Sequence, residues 1–282
     1  MTVQDRLSES ATTTTYKCPV CGLDSAAEGR VLGGYRLYLC PRSALRFAPQ
    51  AFSVPLDYDD VYRSAEYESD QIRALQSVDG HEQARHPTYR AFFDQVPHVP
   101  GARLLDVGCG VGRFGHAAHA RGWDVTGVDV SPLAIRIGLE FAPFPLRVAT
   151  LEELIARGER FNVITAFEVL EHLSTPLQFM ANVQRLLHPG GHLFFTVPNW
   201  SCATVQNSSR PDWLPPIHLL FFTESALRRA GELSGVVQVS TGIIRADPLP
   251  VKMLGRARWL ARRLLRRPRE PLGLWLHGRP RL

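Results

Sequence analysis

The stretch Arg103-Leu-Leu-Asp106-Val-Gly108-Cys-Gly110-Val-Gly112-Arg-Phe-Gly115 decides the fold. Arg103 to Val107 is a short apolar run of the kind that forms a buried strand, and glycines follow it at once. Glycines placed there let backbone approach a ligand closely and adopt positive φ. Outward from this point, strand and helix patterns alternate. Residues 113–121 read as a helix and Trp123 to Asp129 as a second strand. Ser131-Pro132 starts another helix, with Ser as N-cap and Pro at the first helical position. Leu146 to Ala149 is a third strand and Phe161 to Phe167 a fourth. Residues 176–187 form an amphipathic helix closed by Pro189-Gly190-Gly191, and His192 to Val197 is a fifth strand. Upstream, residues 81–96 read as a helix that stops before Pro97. This alternation predicts right-handed crossovers and a doubly wound, mostly parallel α/β sheet. Ligands of such sheets sit at the carboxyl ends of the strands, near the point where the strand order reverses.

Asp129 ends the second strand, where a carboxylate can accept both hydroxyls of a ribose. Together with the glycines it points to a nucleoside-containing cofactor, and two readings compete. From Gly110 the segment satisfies G-x-G-x-x-G, with Asp129 nineteen residues on, which is the dinucleotide fingerprint of a nicotinamide-dependent oxidoreductase. From Asp106 it is D-x-G-x-G-x-G, which resembles the first motif of class I S-adenosylmethionine-dependent methyltransferases. A carboxylate at Asp106 would repel a pyrophosphate at the following helix N-terminus. S-adenosylmethionine carries an ammonium and a sulfonium instead, so the electrostatics favour the methyl donor.

More of the chain resembles this family. Phe161-Asn-Val-Ile followed by Phe167-Glu-Val-Leu-Glu-His172 is similar to the fourth-strand motif of the branch that includes the ubiquinone-type O-methyltransferases. Arg185 to Asn199 is similar to its helix–turn–fifth-strand signature, and Glu224 to Gly235 to a later helix. Asn162 departs from the family's usual Asp. The resemblance covers residues 84–245 and implies a Rossmann-like, seven-stranded sheet. It also implies site roles. Backbone around Gly108, Gly110 and Gly112 would line the methionine moiety, and Asp106 would meet its amino group. Asp129 would bind the ribose, Val130 would lie against the adenine, and Thr150 or Leu151 would meet the adenine edge. Phe167 and Glu168 would lie under the sulfonium.

Methyl transfer needs an aligned acceptor and, for an oxygen, a base. The candidates are His172 and Glu171, after the fourth strand, and His218, in the Pro-rich segment Trp213 to Phe222. The ubiquinone-type relatives imply a second use for this segment, a divalent metal on Glu168, Glu171 and His172. The Asn/Asp-Pro-Pro-aromatic run used to methylate amines of DNA bases is absent after strand four. A small-molecule acceptor, methylated on oxygen, is therefore expected: a sugar, a lipid-linked glycan or a natural-product scaffold. A non-catalytic module that keeps the cofactor pocket and an RNA methyltransferase are further alternatives.

The chain has 282 residues, enough for one large α/β domain with attachments. Its balance of 45% apolar and 21% charged residues excludes wholesale disorder. We divide it into a polar leader (1–15), a small Cys-bearing module of two short hairpins (16–50), the cofactor-binding domain (51–250) and a basic tail (251–282). Cys18-x-x-Cys21 and Cys40-x-x-Ser43 resemble a zinc ribbon with one ligand lost, similar to the N-terminal module of some sugar and antibiotic methyltransferases. Either Cys18, Cys21 and Cys40 bind zinc with another group, or Tyr35, Leu37, Leu39, Leu45 and Phe47 hold a relic together. The tail has ten Lys/Arg and one acid, a net +9 against +5 for the whole chain, so the body carries −4. Apolar residues recur near helical spacing over 251–267, which suits a basic amphipathic helix on an anionic membrane surface. RNA would also be attracted, but no interleaved aromatic motif accompanies the arginines, so nucleic acid is a weaker expectation. No apolar run approaches the ~20 residues of a membrane span. The N-terminal segment lacks the apolar core of a signal peptide. The cysteine pattern is unlike a disulfide framework, so a cytoplasmic location is expected.

Overall fold

The computed structural model describes residues 14–57, 59–60, 72, 75, 79–245 and 270–280. It opens with four strands, β1 (Tyr16–Lys17), β2 (Asp24–Leu32), β3 (Tyr35–Leu39) and β4 (Arg46–Phe47). Helices α1 (Gly80–Gln83) and α2 (Pro87–Gln95) follow. The expected helix over 81–96 is broken before Pro87, which takes the first turn of α2 because it lacks the N–H a helix interior needs. The alternating part comprises β5 (Arg103–Val107), α3 (Arg113–His119), β6 (Asp124–Asp129), α4 (Pro132–Leu139), β7 (Leu146–Val148), α5 (Leu151–Ala156), β8 (Phe161–Phe167), α6 (Pro176–Leu186) and β9 (Leu187–Pro198). The last described elements are α7 (Ala203–Gln206), β10 (Leu220–Phe221), α8 (Glu224–Leu233), β11 (Val237–Ile244) and β12 (Gly273–Arg279).

Seven strands form the central sheet in the order β11-β12-β9-β8-β5-β6-β7. β5, β6, β7, β8 and β9 pair in parallel, and β12 runs antiparallel to both its neighbours. The parallel strands are apolar on both faces because helices cover both sides. One face packs Phe92 of α2, Phe114 of α3 and Ile135 of α4 against Leu104, Val163 and Phe194. The other packs Leu154 of α5, Met180 and Val183 of α6 and Leu227 of α8 against Leu105, Ile164 and Phe195. From β5 the chain moves to β6 and β7 on one side and then crosses to β8 on the other. The switch point therefore lies between β5 and β8, where Asp106 is the penultimate residue of one strand and Phe167 ends the other.

Two segments depart from the expected boundaries. Gly273–Arg279, assigned to the basic tail, is a strand inside the main sheet. Leu274 and Leu276 are fully buried, and Trp275 on the opposite face stacks on Phe194 at 6.0 Å. The surrounding arginines dominate the composition and mask this two-residue alternation. The expected amphipathic helix over 251–267 lies outside the described residues, as does most of the leader. The Cys-bearing module is likewise not separate. β1, β2, β3 and β4 form an antiparallel sheet that is completed by β10, from the far side of residue 50. Phe47 pairs with Leu220 and Arg46 with Phe221, and Leu37, Leu45 and Phe47 are buried in the same core as Leu219 to Phe222. No helix among the described residues is long and apolar enough to cross a membrane.

If β12 holds the sheet together as described, Leu274→Ala and Leu276→Ala should each cost about 2–5 kcal/mol in urea unfolding, the range for truncating a buried leucine. Placed in a solvated tail, the same substitutions would stay within about 0.5 kcal/mol.

Candidate active site

The turn after β5 is built by hydrogen bonds to its neighbours. The N–H groups of Gly108 and Cys109 both donate to the Val128 carbonyl, at 2.8 and 3.1 Å. Gly108, Gly110 and Gly112 have φ of +67°, +53° and +86°. A Cβ on Gly108 would stand 2.6 Å from the Val169 side chain, so glycine is required for the turn to pass beneath the end of β8.

Asp129 holds this turn in place. The Gly110 N–H donates to its Oδ2 at 2.8 Å, and the Ser131 N–H to its Oδ1 at 2.9 Å. An ionised carboxylate accepts about four hydrogen bonds, so each oxygen keeps capacity for a further donor. Burial raises its pKa, with the charge of Asp59 adding to the effect and the backbone donors opposing it. Val130 follows at once and is 54% exposed, an apolar surface beside the carboxylate. Ser131 caps α4, accepting from the Ala134 N–H at 3.1 Å and donating to Asp59 Oδ1 at 2.5 Å. The Ala149 N–H donates to the Asp129 carbonyl, which draws the end of β7 to the same corner. There Thr150 caps α5 in a reciprocal capping box with Glu153, and Leu151 is buried in the core.

Asp106 is buried at the end of β5, and its Oδ1 accepts a hydrogen bond from Thr165 Oγ1 at 2.8 Å. Burial raises its carboxyl to about 7; the Thr165 hydroxyl lowers it and the Asp129 charge raises it further. No basic side chain among the described residues offsets this. Phe167, across the switch point, is half-buried, with its ring against Phe114 at 4.4 Å and Tyr89 at 5.3 Å.

Glu168 follows with φ +55°. Solvent reaches this residue, yet protein crowds its carboxyl, and the lost hydration raises it to about 7 while a hydrogen bond from Thr196 Oγ1 (2.8 Å) opposes the rise. The trio Glu168, Glu171 and His172 presumes a helix, but only a single 3₁₀ turn, Leu170–His172, is formed. The left-handed backbone at Glu168 turns its carboxyl to Thr196. The groups that converge instead are Glu171, His172 and His218, with potential ligand atoms all within 4.8 Å of one another. Glu171 is fully buried with no hydrogen-bond partner on either oxygen, and burial with the nearby Glu168 charge holds its pKa well above the usual range. His172 Nδ1 lies 2.9 Å from the Ile217 carbonyl and donates to it. The His172 and His218 rings meet edge-on at 4.7 Å. Burial keeps both imidazoles below their usual pKa. His218 also lines a small cavity with Pro198, Trp200, Val205, Trp213, Leu220 and Phe221.

Thr165, Thr196 and Trp200 are missing from the sequence reading. A threonine inside an apolar strand is the available signal. Its meaning depends on register, which pairs Thr165 with Asp106 and Thr196 with Phe167. Cys18, Cys21 and Cys40 converge separately, in the N-terminal sheet.

The site fits a cationic nucleoside better than a dinucleotide: a buried carboxylate without a counter-cation faces the turn, and a second carboxylate stands beside an open apolar residue. Comparison with known proteins agrees. Residues 79–241 match the family model described as a methyltransferase domain. Over 179 residues, 58% of the chain, it is 33% identical to the ubiquinone biosynthesis O-methyltransferase of Methylobacterium sp. (strain 4-46), spanning 69% of that protein. It spans about half of another relative of that name, from Hahella chejuensis, at 40% identity over 38% of this chain. Among solved structures, an S-adenosylmethionine-dependent methyltransferase from Mesorhizobium loti shares the fold with a TM-score of 0.53 at 20% identity, over 70% of this chain and 99% of that one. This chain belongs to the methyltransferase-domain family, as a class I S-adenosylmethionine-dependent methyltransferase.

Proposed function

We propose that the enzyme methylates an oxygen of a small, largely apolar acceptor held between the switch point and the cavity beside His218. The observation that carries this reading is the arrangement of that cavity, in which two tryptophans and a phenylalanine surround an imidazole kept neutral by burial. The O-methyltransferase names of the relatives support the choice of oxygen.

In this reading Asp106 pairs with the ammonium of the methyl donor, and Asp129 accepts its ribose hydroxyls through the lone pairs left by Gly110 and Ser131. Val130 packs on the adenine, and Gly108 to Gly112 follow the methionine backbone. Thr150 or Leu151 marks the adenine edge by position, the Thr150 hydroxyl and N–H both being engaged in capping. Phe167 serves through packing on Phe114, and Glu168 faces the sulfonium. S-adenosylmethionine, when bound, supplies a methyl group on a leaving sulfonium. The apolar walls orient the acceptor and exclude water, and alignment of this kind lowers a barrier by several kcal/mol. His218 would take the proton that the acceptor oxygen gives up on methylation. His172, oriented by the Ile217 carbonyl, and Glu171 stabilise the resulting imidazolium.

The partnerless oxygens of Glu171 favour a second reading. A divalent cation on Glu171, His172 and His218 suits one carboxylate and two imidazoles, and would polarise the acceptor oxygen. Adding magnesium or manganese back to chelated enzyme separates the two readings, because these hard cations bind thiolates poorly and only the metal reading expects them to restore activity.

Three outcomes are expected. In calorimetry, Asp106→Asn should weaken S-adenosylhomocysteine binding by about 10- to 100-fold, the value of a charged hydrogen bond, with no gain in NADH binding. Unchanged affinity would remove Asp106 from the site. Native affinity should rise between about pH 6 and pH 8, as a carboxyl near 7 ionises to meet the ammonium, and should be flat in Asp106→Asn. Without ligand the sense reverses: the folded state keeps a proton that an unfolded carboxyl near 3.8 has lost, so this group costs stability as pH rises through about 7. His218→Ala should lower kcat by about 10²- to 10⁴-fold and leave S-adenosylhomocysteine affinity unchanged. Retention of full kcat would eliminate His218 as the base.

A further inference from the structure

Two short turns in the N-terminal sheet share one backbone design. The first is Cys18-Pro-Val-Cys21-Gly22 and the second Cys40-Pro-Arg-Ser43-Ala44. In each, the N–H of the leading cysteine donates to the carbonyl five residues on, Cys18 to Leu23 and Cys40 to Leu45, both at 2.9 Å. In each, the carbonyl of that cysteine accepts from the N–H four residues on, Gly22 at 2.9 Å and Ala44 at 3.0 Å. Both turns close through left-handed backbone, φ +71° at Gly22 and +59° at Ala44. Glycine adopts this freely, whereas Ala44 adopts it at a steric cost, so the second turn is held in the shape of the first.

The side chains of the two turns face one another. Cys21 Sγ lies 3.3 Å from Cys40 Sγ, and Cys18 Sγ 3.7 Å from Ser43 Oγ. All three sulfurs fall within 4.8 Å of each other. Tetrahedral zinc with bonds of about 2.3 Å places sulfurs roughly 3.8 Å apart, inside this spread. Backbone N–H groups point at two of the sulfurs, Val20 to Cys18 and Ser43 to Cys40, both at 3.4 Å, as suits thiolates. Cys18, Cys40 and Ser43 are almost fully buried.

We propose that Cys18, Cys21 and Cys40 bind one zinc ion, with the Ser43 hydroxyl at the fourth corner. Three soft thiolates in a compact tetrahedral corner select zinc over hard cations, and they also take cobalt(II) as a spectroscopic substitute. A neutral hydroxyl is a weaker ligand than a thiolate, so the ion is held less tightly than in a four-cysteine site.

The ion also braces the cavity wall. Three residues past Ser43, β4 pairs with β10, and the Ala48 N–H donates to the Leu219 carbonyl at 3.0 Å. The Leu219 N–H in turn donates to the Glu171 carbonyl at 2.8 Å. A direct backbone path thus runs from the zinc corner to the residues flanking His218. The metal site stands independently of the proposed acceptor chemistry.

The test uses the full chain, purified without chelator from zinc-supplemented cells, with metal content measured by elemental mass spectrometry. About one zinc per chain is expected, falling to near zero in Cys40→Ser and in Cys21→Ser, whose side chain is only half-buried. Ser43→Cys should keep one zinc and release it to a chelator more slowly than the native chain. Cobalt(II) should give thiolate charge-transfer bands that strengthen in Ser43→Cys. Chelation should shift the fluorescence of Trp200 and Trp213 while S-adenosylhomocysteine affinity in calorimetry is retained. Zinc content near zero in the native chain, zinc unchanged in both serine variants, or a Cys21–Cys40 disulfide in non-reducing peptide maps would each overturn the proposal. Loss of methyl transfer with zinc content intact would count against the proposed acceptor chemistry and leave the metal site standing.

Discussion

The Asp129 carboxylate is the constraint on which the site depends. Its two oxygens accept from Gly110 and Ser131, so one side chain at the end of β6 holds both the glycine turn after β5 and the start of α4. The turn is also held by Gly108 and Cys109 donating to the Val128 carbonyl, and α4 by its Ser131 cap, and Asp129 ties these two local supports together. A buried carboxylate is costly to leave unpaired, and here two backbone donors offset part of that cost. In the proposed reading, the residual acceptor capacity meets the ribose, so the group that organises the loop also serves the ligand.

Asp106 works differently. It is paired with Thr165 but has no counter-cation among the described residues, which makes it a poor stabiliser and a good receptor. A raised carboxyl at a strand end is destabilising in the ligand-free fold and becomes favourable when a cation arrives. In the proposed reading, the charge of the methyl donor accounts for this feature. Glu168 and Glu171 extend the same pattern of raised carboxyls past the switch point.

The N-terminal sheet is part of the methyltransferase body. β10 belongs by sequence to the segment after β9, yet its hydrogen-bonding partner is β4. The segment that carries His218 is therefore anchored just past that residue, where the Leu219 carbonyl accepts from Ala48 and the Leu219 N–H donates to the Glu171 carbonyl. Arg30 of β2 reaches over Trp200 at 4.8 Å, adding a second contact between that sheet and the cavity wall.

The sequence by itself determined the parallel sheet, the glycine turn, the two aspartates near the strand ends and the N-cap at Ser131. These are local: a run of apolar residues, a glycine or a capping hydroxyl acts within a few positions of itself. Only the tertiary structure decided the rest. That Thr165 meets Asp106 follows from strand register across 59 residues. That His218, and not Glu168, joins Glu171 and His172 follows from a left-handed residue and from a loop 46 positions away folding back. That Leu274 and Leu276 form an inner strand follows from a gap between β9 and β11 which no neighbouring residue reveals. Long-range pairing of this kind is set by which surfaces remain to be buried once local elements have formed, and a linear pattern does not carry that information.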